Sequence, residues 1–564
     1  MLSDHRRVGG LYRPKPRRPA TADQQARRTP ATRRFRSEKA AHTVHDENLM
    51  SVCMDIRAAT PNVAWRDSQK EACVSSLLDG SVGQIDFVTR YGLMSKAQLA
   101  AIPRITEMIK EHSLRTIRIA WCDQHGLVRG KQVMAHDFLL ALRNGVDFQT
   151  ATLFMDTANN LAAPMFAKHG GGIGVASLCG GPDAILVPDP LTFRVLPWAP
   201  RTGWVLSEMY LNNGEPMPFD TRAVFKRQLA RLHTRGWDWV GGLEVEFYIC
   251  KLEDRMLQPE QCGWPPDPPK VSMIAHGFQY LTEERQDEID PILQMLHDNL
   301  AALDLPLRTM EDEWGPGQCE FTFDPTRGVM SADHMVLFRT AVKQLCRRHG
   351  YHATFMTRPA LPNFFSSGWH LHQSLCSLEG GENLFANFAN PTDELSLLGR
   401  QYVAGLLAHA APACVFSTPT INGYKRFRPN SFAPDRITWA CENRAAMIRV
   451  LGAPGDRAAH LENRAGEPCA NPYLYMASQI AAGLDGIDRG LDPGPMDETP
   501  YESGKPKLPR SLMEATAALS GSAMFRRELG DALVDYLLLL KQSEIDRFLQ
   551  HVTDWEHREY FEMF

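Results

Sequence analysis

The 564-residue sequence has no uninterrupted apolar run approaching the roughly 18 residues that a membrane-spanning helix needs, so no membrane span is expected. Its twelve cysteines are scattered from Cys53 to Cys469 without one C-x-x-C pair, which argues against a zinc site and a disulfide framework. Reduced thiols in a cytoplasmic protein are the expectation that fits this pattern.

A phosphate-binding loop of the usual kind is also missing. The densest glycine cluster, residues 169–181, has no G-K-[ST] ending and does not spell G-x-G-x-x-G before a helix. We interpret this cluster as turn chemistry, so any bound nucleotide must be held by other residues.

Charge is distributed unevenly along the chain. Residues 1–40 contain twelve Arg and Lys and three acidic residues, Asp4, Asp23 and Glu38, so the net charge of this segment is +9. Because the net charge of the whole chain is -5, the other residues carry a net charge of -14. Because this segment also lacks a hydrophobic period, residues 1–80 are predicted to be a basic, disordered N-terminal extension. A solvated tail is the simpler interpretation, and contacts with nucleic acid or a role as a transit segment are alternatives.

The remaining chain is too long for one ordinary core and predicts two domains. Residues 116–134 indicate a strand, a turn at 123–126 and a returning strand, and short strands continue to about residue 210. We therefore predict a small, mostly β domain over residues 81–210. An amphipathic helix then opens a larger mixed α/β region over residues 211–564.

Acidic residues recur at spacings that would bring their side chains together. Glu244 and Glu246 stand two apart in GLEVEF, which reads as a buried strand, so both face the same side. Glu313 and Glu320 flank the sequence Gly315-Pro316-Gly317, which should break the strand between them and let both face inward.

A second set of motifs supplies imidazole and guanidinium groups. His370 and His372 stand two apart in GWHLHQS, and Glu462 and Arg464 stand two apart in LENR. The segments KRFRP and ENRAAMIR add further arginines, namely Arg426, Arg444 and Arg449.

Five carboxylates and one histidine make six candidate ligands, a set of hard oxygens that suits Mg²⁺ or Mn²⁺ better than zinc or copper. Five carboxylates cannot stay ionised in one pocket without cations, and two divalent ions would resolve this. With the arginines, such a site is typical of phosphoryl transfer.

Each motif alone is weak evidence for a site, since E-x-E and H-x-H usually mark solvated strand faces and arginines often form surface ion pairs. Their ordered co-occurrence favours the site.

In this order the motifs resemble the glutamine synthetase family over roughly residues 80–564. The matching segments are DQHGLVRGK, LTFRVLPW, GLEVEF, EWGPGQCE, GWHLHQS, ENRAAMIR and LENR…NPYL. The resemblance implies an α+β fold, with a small N-terminal β-grasp domain over residues 81–210 and a large glutamine synthetase-type catalytic α/β domain over 211–564. It also implies a homo-oligomer, a dodecamer of two hexameric rings with active sites shared between subunits.

The resemblance assigns roles residue by residue. One ion is implied at Glu246, Glu313 and Glu320, and the other at Glu244, His370 and Glu462. The implied ATP-binding residues are His372, Ser374, Arg444, Arg449 and Arg457. The implied substrate-binding residues are Arg426, Arg464, Gly368 and Phe432, and the implied catalytic residues are Arg444, Glu313 and Arg426. ATP is a substrate of the implied reaction: it phosphorylates the γ-carboxylate of glutamate, and a nitrogen nucleophile then displaces phosphate.

The sequence departs from the ammonium-using relatives on the nucleophile side. Their flap P-G-Y-E-A-P carries a glutamate, whereas this chain reads P-N-S-F-A-P with Phe432 at that position. Their N-G-S-G-M-H reads F-S-S-G-W-H here, and their D-G-S-S segment has no clear counterpart, although Asp156 is nearby.

We therefore predict an ATP-dependent ligase that joins L-glutamate to a primary amine other than ammonia, similar to the γ-glutamyl-amine ligase branch. The apolar Phe432 favours an alkyl or aromatic amine over a polyamine. The alternatives are a glutamine synthetase that uses ammonium and a non-catalytic scaffold or regulatory relative.

Overall fold

A computed structural model describes residues 86–167, 175–254, 256–276, 280–388 and 394–564. The predicted basic extension over residues 1–80 lies outside the described residues, as does the part of the glycine cluster before residue 175. In the described remainder of that cluster, Ala176–Leu178 form a 3-10 turn, and Gly180 and Gly181 adopt positive φ. This part of the cluster therefore forms turns, as predicted.

Within the described residues, the first sheet comes after two helices. Its strands are β1 (Thr116–Cys122), β2 (Val128–Met134), β3 (Val146–Gln149), β4 (Asp183–Pro188), β5 (Arg194–Val195) and β6 (Thr202–Tyr210). They lie in the order β2-β1-β6-β4-β3, with β5 against β6. The predicted hairpin is present, because β1 and β2 pair antiparallel from Cys122 opposite Val128. The assignment of this region as a β-grasp domain, and its boundary at residue 210, stay predictions.

The second sheet is larger and is built around one long strand. Its strands are β7 (Trp237–Leu252), β8 (Val271–Ser272), β9 (Leu307–Asp312), β10 (Gln318–Phe323), β11 (Thr326–Arg327), β12 (Tyr351–Thr354), β13 (Trp369–Ser377), β14 (Trp439–Cys441), β15 (Ile448–Leu451) and β16 (His460–Asn463). The main order is β14-β15-β16-β13-β7-β10-β9, and β8, β11 and β12 also pair with β7.

Helices pack around and beyond the sheets. They are α1 (Phe87–Tyr91), α2 (Lys96–Glu111), α3 (Ala135–Asn144), α4 (Thr221–His233), α5 (Glu283–Ala301), α6 (Met330–Arg348), α7 (Leu397–Ala408), α8 (Ala410–Ser417), α9 (Pro472–Asp488), α10 (Leu512–Ser520), α11 (Ala523–Leu529), α12 (Asp531–Gln550) and α13 (Asp554–Tyr560). The predicted amphipathic helix is α4, which begins where the Asp220 carboxylate accepts hydrogen bonds from the first-turn amides. In the described part of the chain, no helix is both long and apolar enough to cross a membrane.

The core fixes the orientation of β7. Val245 and Phe247 are fully buried, and the Phe247 ring stacks on Phe355 at 5.0 Å and meets Phe338 of α6 edge-on at 5.7 Å. Side chains alternate along a strand, so this packing turns Glu244 and Glu246 to the opposite face. The hydrophobic core thus determines which side of the sheet can hold the charged site.

Candidate active site

The acidic and histidine side chains meet across four neighbouring strands, in the order β16-β13-β7-β10. Strand pairing places Glu246 of β7 directly opposite Glu320 of β10, and Glu244 directly opposite His370 of β13. On the next strand, His372 of β13 lies opposite the fully buried Glu462 of β16. Directly opposed side chains in an antiparallel pair lie close together, so the pairing itself assembles the cluster.

His370 is the centre of the cluster. Its Nδ1 contacts the Glu244 carboxylate and lies 3.6 Å from Oε1 of Glu462, while its Nε2 lies 3.8 Å from Oε1 of Glu246. Nε2 of the neighbouring His372 lies 3.0 Å from the other oxygen of Glu244. Three of the six predicted metal ligands, all carboxylates, therefore surround the imidazole of a fourth, His370.

Two groups of three side chains bring their ligand atoms within 4.8 Å of one another. They are Glu244, Glu320 and His370, and Glu244, His372 and Glu462. Glu244 belongs to both groups, and His372, predicted to bind ATP, belongs to one. These two groups differ from the predicted division of the ligands, in which Glu246, Glu313 and Glu320 hold one ion and Glu244, His370 and Glu462 hold the other. The roles of these residues as metal ligands stay predictions.

Glu313 reaches the cluster through the predicted chain break. Strand β9 ends before it and β10 begins at Gln318, with Gly315 and Gly317 between them. A Cβ on Gly315 would lie 2.0 Å from the Tyr248 hydroxyl, so the turn fits only with glycine there. The Glu313 charge contributes to the raised pKa values of Glu246 and Glu320, which places its carboxylate beside the cluster.

The electrostatics of the donor set fit a divalent cation. Burial raises the pKa of Glu246 to about 8 and that of Glu320 to about 10; neighbouring carboxylates raise both, and Arg426 opposes the shift at Glu246. Without a cation, both carboxyls hold a proton more tightly than an exposed glutamate does. A hard divalent cation bound to these donors would restore the ionised forms, so the residues present fit Mg²⁺ or Mn²⁺.

Two buried arginines compensate Glu462. Arg464 contacts Oε1 of Glu462, and Nη1 of Arg449 lies 3.2 Å from its Oε2. Arg449 also donates to Glu442 at 2.6 Å, so its guanidinium, predicted to contact ATP, is engaged by two carboxylates. Burial would raise the pKa of the Glu462 carboxyl, but His370, Arg464 and His372 together hold it below its ordinary value.

Arg426 and Gly368 lie against the same imidazole. Nη2 of Arg426 is 3.1 Å from Nε2 of His370, and its Nη1 donates to the Arg464 carbonyl at 2.7 Å. A Cβ on Gly368 would lie 2.6 Å from Nη2 of Arg426 and 2.9 Å from Nε2 of His370. Gly368 also accepts a hydrogen bond from the Glu246 amide at 3.0 Å. The glycine is thus required by the close approach of its backbone to both functional side chains.

The remaining predicted residues lie at the edge of the site. Arg444 and Arg457 are exposed, and neither guanidinium forms an ion pair within the described residues. Ser374 is buried on β13, opposite Val240. Phe432 is 74% exposed with a φ of 57°, and its carbonyl accepts from Arg464 at 3.1 Å. The structure therefore does not draw Arg444, Arg457 or the Phe432 ring into the carboxylate cluster.

Asp156 does not reach the cluster within this chain. Its carboxylate is buried and accepts from Arg547 at 2.9 Å and from Ser543 at 3.0 Å, both on α12. These contacts anchor the Asp156 carboxylate to helix α12.

Two residues of the site were missed from the sequence. Gln318 donates to Glu246 at 2.9 Å and to the Ser367 hydroxyl at 3.1 Å, and His460 lies 2.9 Å from Nδ1 of His372. The position of Gln318 two residues before Glu320 on β10 was an available signal, because it puts both on one strand face. His460 offered the same signal, because it stands two residues before Glu462 on β16, although its contact with His372 also depends on how β16 pairs with β13.

Comparison with known proteins identifies the family. A family model described as glutamine synthetase, catalytic domain, matches residues 218–560. A gamma-glutamylanilide synthase of Acinetobacter sp is 43% identical, over 85% of this chain and 99% of its own length. A glutamate–methylamine ligase of Methyloversatilis universalis is 30% identical, over 81% and 98% respectively. The solved structure of a GmaS/ADP complex has a TM-score of 0.67 at 26% identity, over 81% of this chain and 99% of its own.

The chain belongs to the glutamine synthetase family. It is a ligase, of mixed α/β architecture with a glutamine synthetase-type catalytic domain. Enzymes of this family use ATP and divalent metal ions.

Proposed function

We propose that the protein is an ATP-dependent ligase that joins the γ-carboxylate of L-glutamate to a primary amine other than ammonia, through γ-glutamyl phosphate. The observation that carries this proposal is a contrast within one site. The acidic, imidazole and arginine groups suited to activating glutamate lie together, whereas the flap position at which ammonium-using relatives carry a glutamate holds Phe432. Relatives named for anilide and methylamine ligation support the same activity.

The carboxylate cluster would hold two or more Mg²⁺ or Mn²⁺ ions. The proposed ligands are Glu244, Glu246, Glu313, Glu320, His370 and Glu462. Ions bound there would neutralise charge on the phosphates of ATP and on the transferring group. Chelation with EDTA is expected to abolish turnover, and added Mg²⁺ or Mn²⁺ to restore it; full activity after exhaustive chelation would contradict the assignment.

The protein groups around the cluster bind and orient the substrates. Arg426, Arg464 and Gly368 are proposed to hold glutamate, because a planar guanidinium matches a carboxylate and a glycine leaves room beside His370. His372, Ser374, Arg444, Arg449 and Arg457 are proposed to contact ATP. Arg444 and Arg457 are exposed, so both guanidinium groups are accessible to a nucleotide.

Two bonds form in succession in the proposed reaction. A γ-carboxylate oxygen of glutamate attacks the γ-phosphorus of ATP and ADP leaves. The amine nitrogen then attacks the γ-acyl carbon and phosphate leaves. The attacking nitrogen must lose a proton, and the Glu313 carboxylate is the proposed acceptor because it adjoins the proposed amine side.

A cluster of aromatic rings lies beside Glu313 on the proposed amine side. The Trp314 ring lies 6.0 Å from Tyr280 and 6.2 Å from Phe365, measured between centroids, and all three side chains are exposed. The charge of Glu313 raises the pKa of Tyr280 in addition to the larger effect of burial, so this cluster adjoins the acid. An exposed apolar surface beside the proposed base suits an alkyl or aromatic amine.

The test is phosphate release from ATP and L-glutamate with a panel of amines. Aniline, isopropylamine, ethanolamine and putrescine are compared with ammonium at matched concentrations of the unprotonated form. We expect aniline or isopropylamine to give the highest kcat/KM. Ammonium as the best nucleophile would overturn the proposal in favour of glutamine synthesis, and no turnover with any amine would favour a non-catalytic relative.

The assembly and location are further parts of the proposal. We propose a homo-oligomer, a dodecamer of two hexameric rings with active sites between subunits, working in the cytoplasm. Light scattering coupled to size-exclusion chromatography tests the assembly, since a stable, active monomer would contradict shared sites. Nucleic-acid binding is not proposed, apart from contacts of the basic extension.

A further inference from the structure

A buried carboxylate lies among the segments that carry the proposed glutamate-binding residues. Glu467 comes four residues after the end of β16 and is 1% exposed. Its two oxygens accept three hydrogen bonds, from the Thr420 amide at 2.8 Å, from the Thr420 hydroxyl at 2.9 Å and from the Thr357 hydroxyl. Within the described residues, Glu467 forms no ion pair. The proposed reaction assigns no role to this acid.

The Thr420 contact connects Glu467 to Arg426. Thr420 lies between α8 and the 3-10 turn Gly423–Arg426. Its hydroxyl donates to Glu467 and accepts from the Gly423 amide at 3.0 Å, so the carboxylate and the start of the turn share one hydroxyl. A Cβ on Gly423 would lie 2.4 Å from Oε2 of Glu467. The position of the carboxylate therefore sets where the turn that ends at Arg426 begins.

The Thr357 contact connects Glu467 to Gly368. Thr357 is fully buried between β12 and β13, and its carbonyl accepts from the Ser367 amide at 2.7 Å. Ser367 immediately precedes Gly368, whose backbone lies against the Arg426 guanidinium. One carboxylate is therefore bonded to the segments of two residues proposed to bind glutamate.

The chain that carries Glu467 contacts the same two segments. The Gly466 carbonyl accepts from the Trp369 amide at 3.0 Å and from Nη1 of Arg426 at 3.3 Å. The Arg464 carbonyl accepts from the same Nη1 at 2.7 Å. The three segments proposed to hold glutamate thus meet at the Glu467 side chain.

An acid at this position is costly for folding. Burial raises the pKa of Glu467 to about 7, although the hydrogen bonds from Thr357 and Thr420 favour the ionised form. A buried carboxyl held only by neutral donors loses hydration that no ion pair replaces. Acids with such perturbed environments are typical of functional sites.

We propose that Glu467 is a positioning residue, which holds the Arg426 turn and the Gly368 segment at the spacing that L-glutamate requires between them. The inference rests on the proposed function, because it takes Arg426 and Gly368 as residues that hold glutamate. Glu467 acts through these segments and not on the reacting atoms. Its loss should therefore weaken glutamate binding and leave ATP binding unchanged.

Glu467→Gln keeps the shape of the side chain and removes its charge. Calorimetric titration of the full-length variant with L-glutamate, in the presence of MgADP, should give a Kd about tenfold above that of the parent enzyme, the loss expected for a hydrogen bond to a charged group. Steady-state kinetics with aniline should show a similar rise in KM for glutamate, with kcat within about threefold and KM for ATP unchanged.

Variants of Thr420 separate the hydroxyl from the rest of the contact. Thr420→Val removes the hydroxyl but keeps the amide donor, so it should raise the Kd for glutamate in the same direction and by less. Thr420→Ser retains the hydroxyl and should recover most of the affinity that Thr420→Val loses.

Thr516→Val is the matched control, because it removes a buried hydroxyl that donates to backbone carbonyls of its own helix, α10. It should lower the melting temperature without changing the Kd for glutamate. The proposal is overturned if Glu467→Gln binds glutamate as tightly as the parent enzyme, or if Thr516→Val weakens binding as much as Glu467→Gln does. A parent enzyme that does not bind glutamate would overturn the proposed function as well, which distinguishes the two failures.

Discussion

The two sides of the candidate active site are built differently. The glutamate-activating side stands on paired strands, where Glu244, Glu246, Glu320 and His370 face one another across β7 and its neighbours. The amine side stands on segments between strands, which carry Trp314, Phe365 and Phe432 as exposed rings. Strand pairing fixes the first group by register, whereas loops can change without disturbing the sheet. A family built this way can keep one activation chemistry and vary its nucleophile.

The strand-borne side should be the most sensitive to substitution. Glu246→Ala and His370→Ala each remove a group at the centre of the cluster and should reduce kcat by at least about 10³-fold, because charge on the transferring group would lose its compensation. Steady-state phosphate release measures the effect. Glu253→Ala, which removes an exposed carboxylate just past the end of β7, should leave kcat unchanged.

Size-exclusion chromatography separates chemistry from folding in these variants. Both should elute with the parent enzyme, since neither side chain belongs to the hydrophobic core. Near-parent turnover in either variant would contradict the two-ion assignment.

A methyl group at Gly368 should have the next largest effect. Its Cβ would crowd Arg426 and His370, so Gly368→Ala should displace the Arg426 guanidinium. We expect a loss of about 10- to 100-fold in kcat/KM for glutamate, as for misplacement of a binding group by about 1 Å. Gly504→Ala, where a Cβ meets nothing within 4 Å, is the matched control. An unchanged KM for glutamate would show that Arg426 does not hold this substrate.

These differences explain what the sequence could and could not predict. The two-residue spacings of Glu244 with Glu246 and of His370 with His372 predict shared faces, because side-chain alternation is a local property of a strand. The pairing of Glu246 with Glu320 depends on the register between β7 and β10, which no local pattern contains. For the same reason, the side chains that lie around Glu244 differ from the predicted set: Glu320 and His372 join His370 and Glu462 there.

Loop residues were less predictable still. The family resemblance implies ATP contacts for Arg444 and Arg457; both side chains are exposed, and these roles stay predictions. Phe432 adopts a left-handed backbone conformation, which is unfavourable for an aromatic residue, and its carbonyl is held by Arg464. Nothing in the sequence P-N-S-F-A-P specifies that conformation.

On the amine side, Trp314→Ala should affect one substrate and spare the others. Removing the central ring of the aromatic cluster should raise KM for aniline about 3- to 10-fold, corresponding to an aromatic contact of about 0.5–1.5 kcal/mol. KM for ATP and glutamate should not change. Trp555→Ala removes an exposed tryptophan near the C-terminus and serves as the control. A parallel rise in all three KM values would instead indicate damage to the neighbouring Glu313.

The smallest expected effect tests the amine side most directly. Phe432→Glu restores a carboxylate at the flap position while Arg464 still holds the backbone carbonyl. An exposed charge attracts a cation by about 1 kcal/mol, so the kcat/KM for ammonium relative to aniline should rise about fivefold. Phe432→Gln has the same shape without the charge and should lower aniline use without raising ammonium use. If both variants shift the ratio equally, the ring acts by excluding ammonium rather than through the missing charge. If neither does, selectivity lies with Trp314 and its neighbours, and the flap only closes the site.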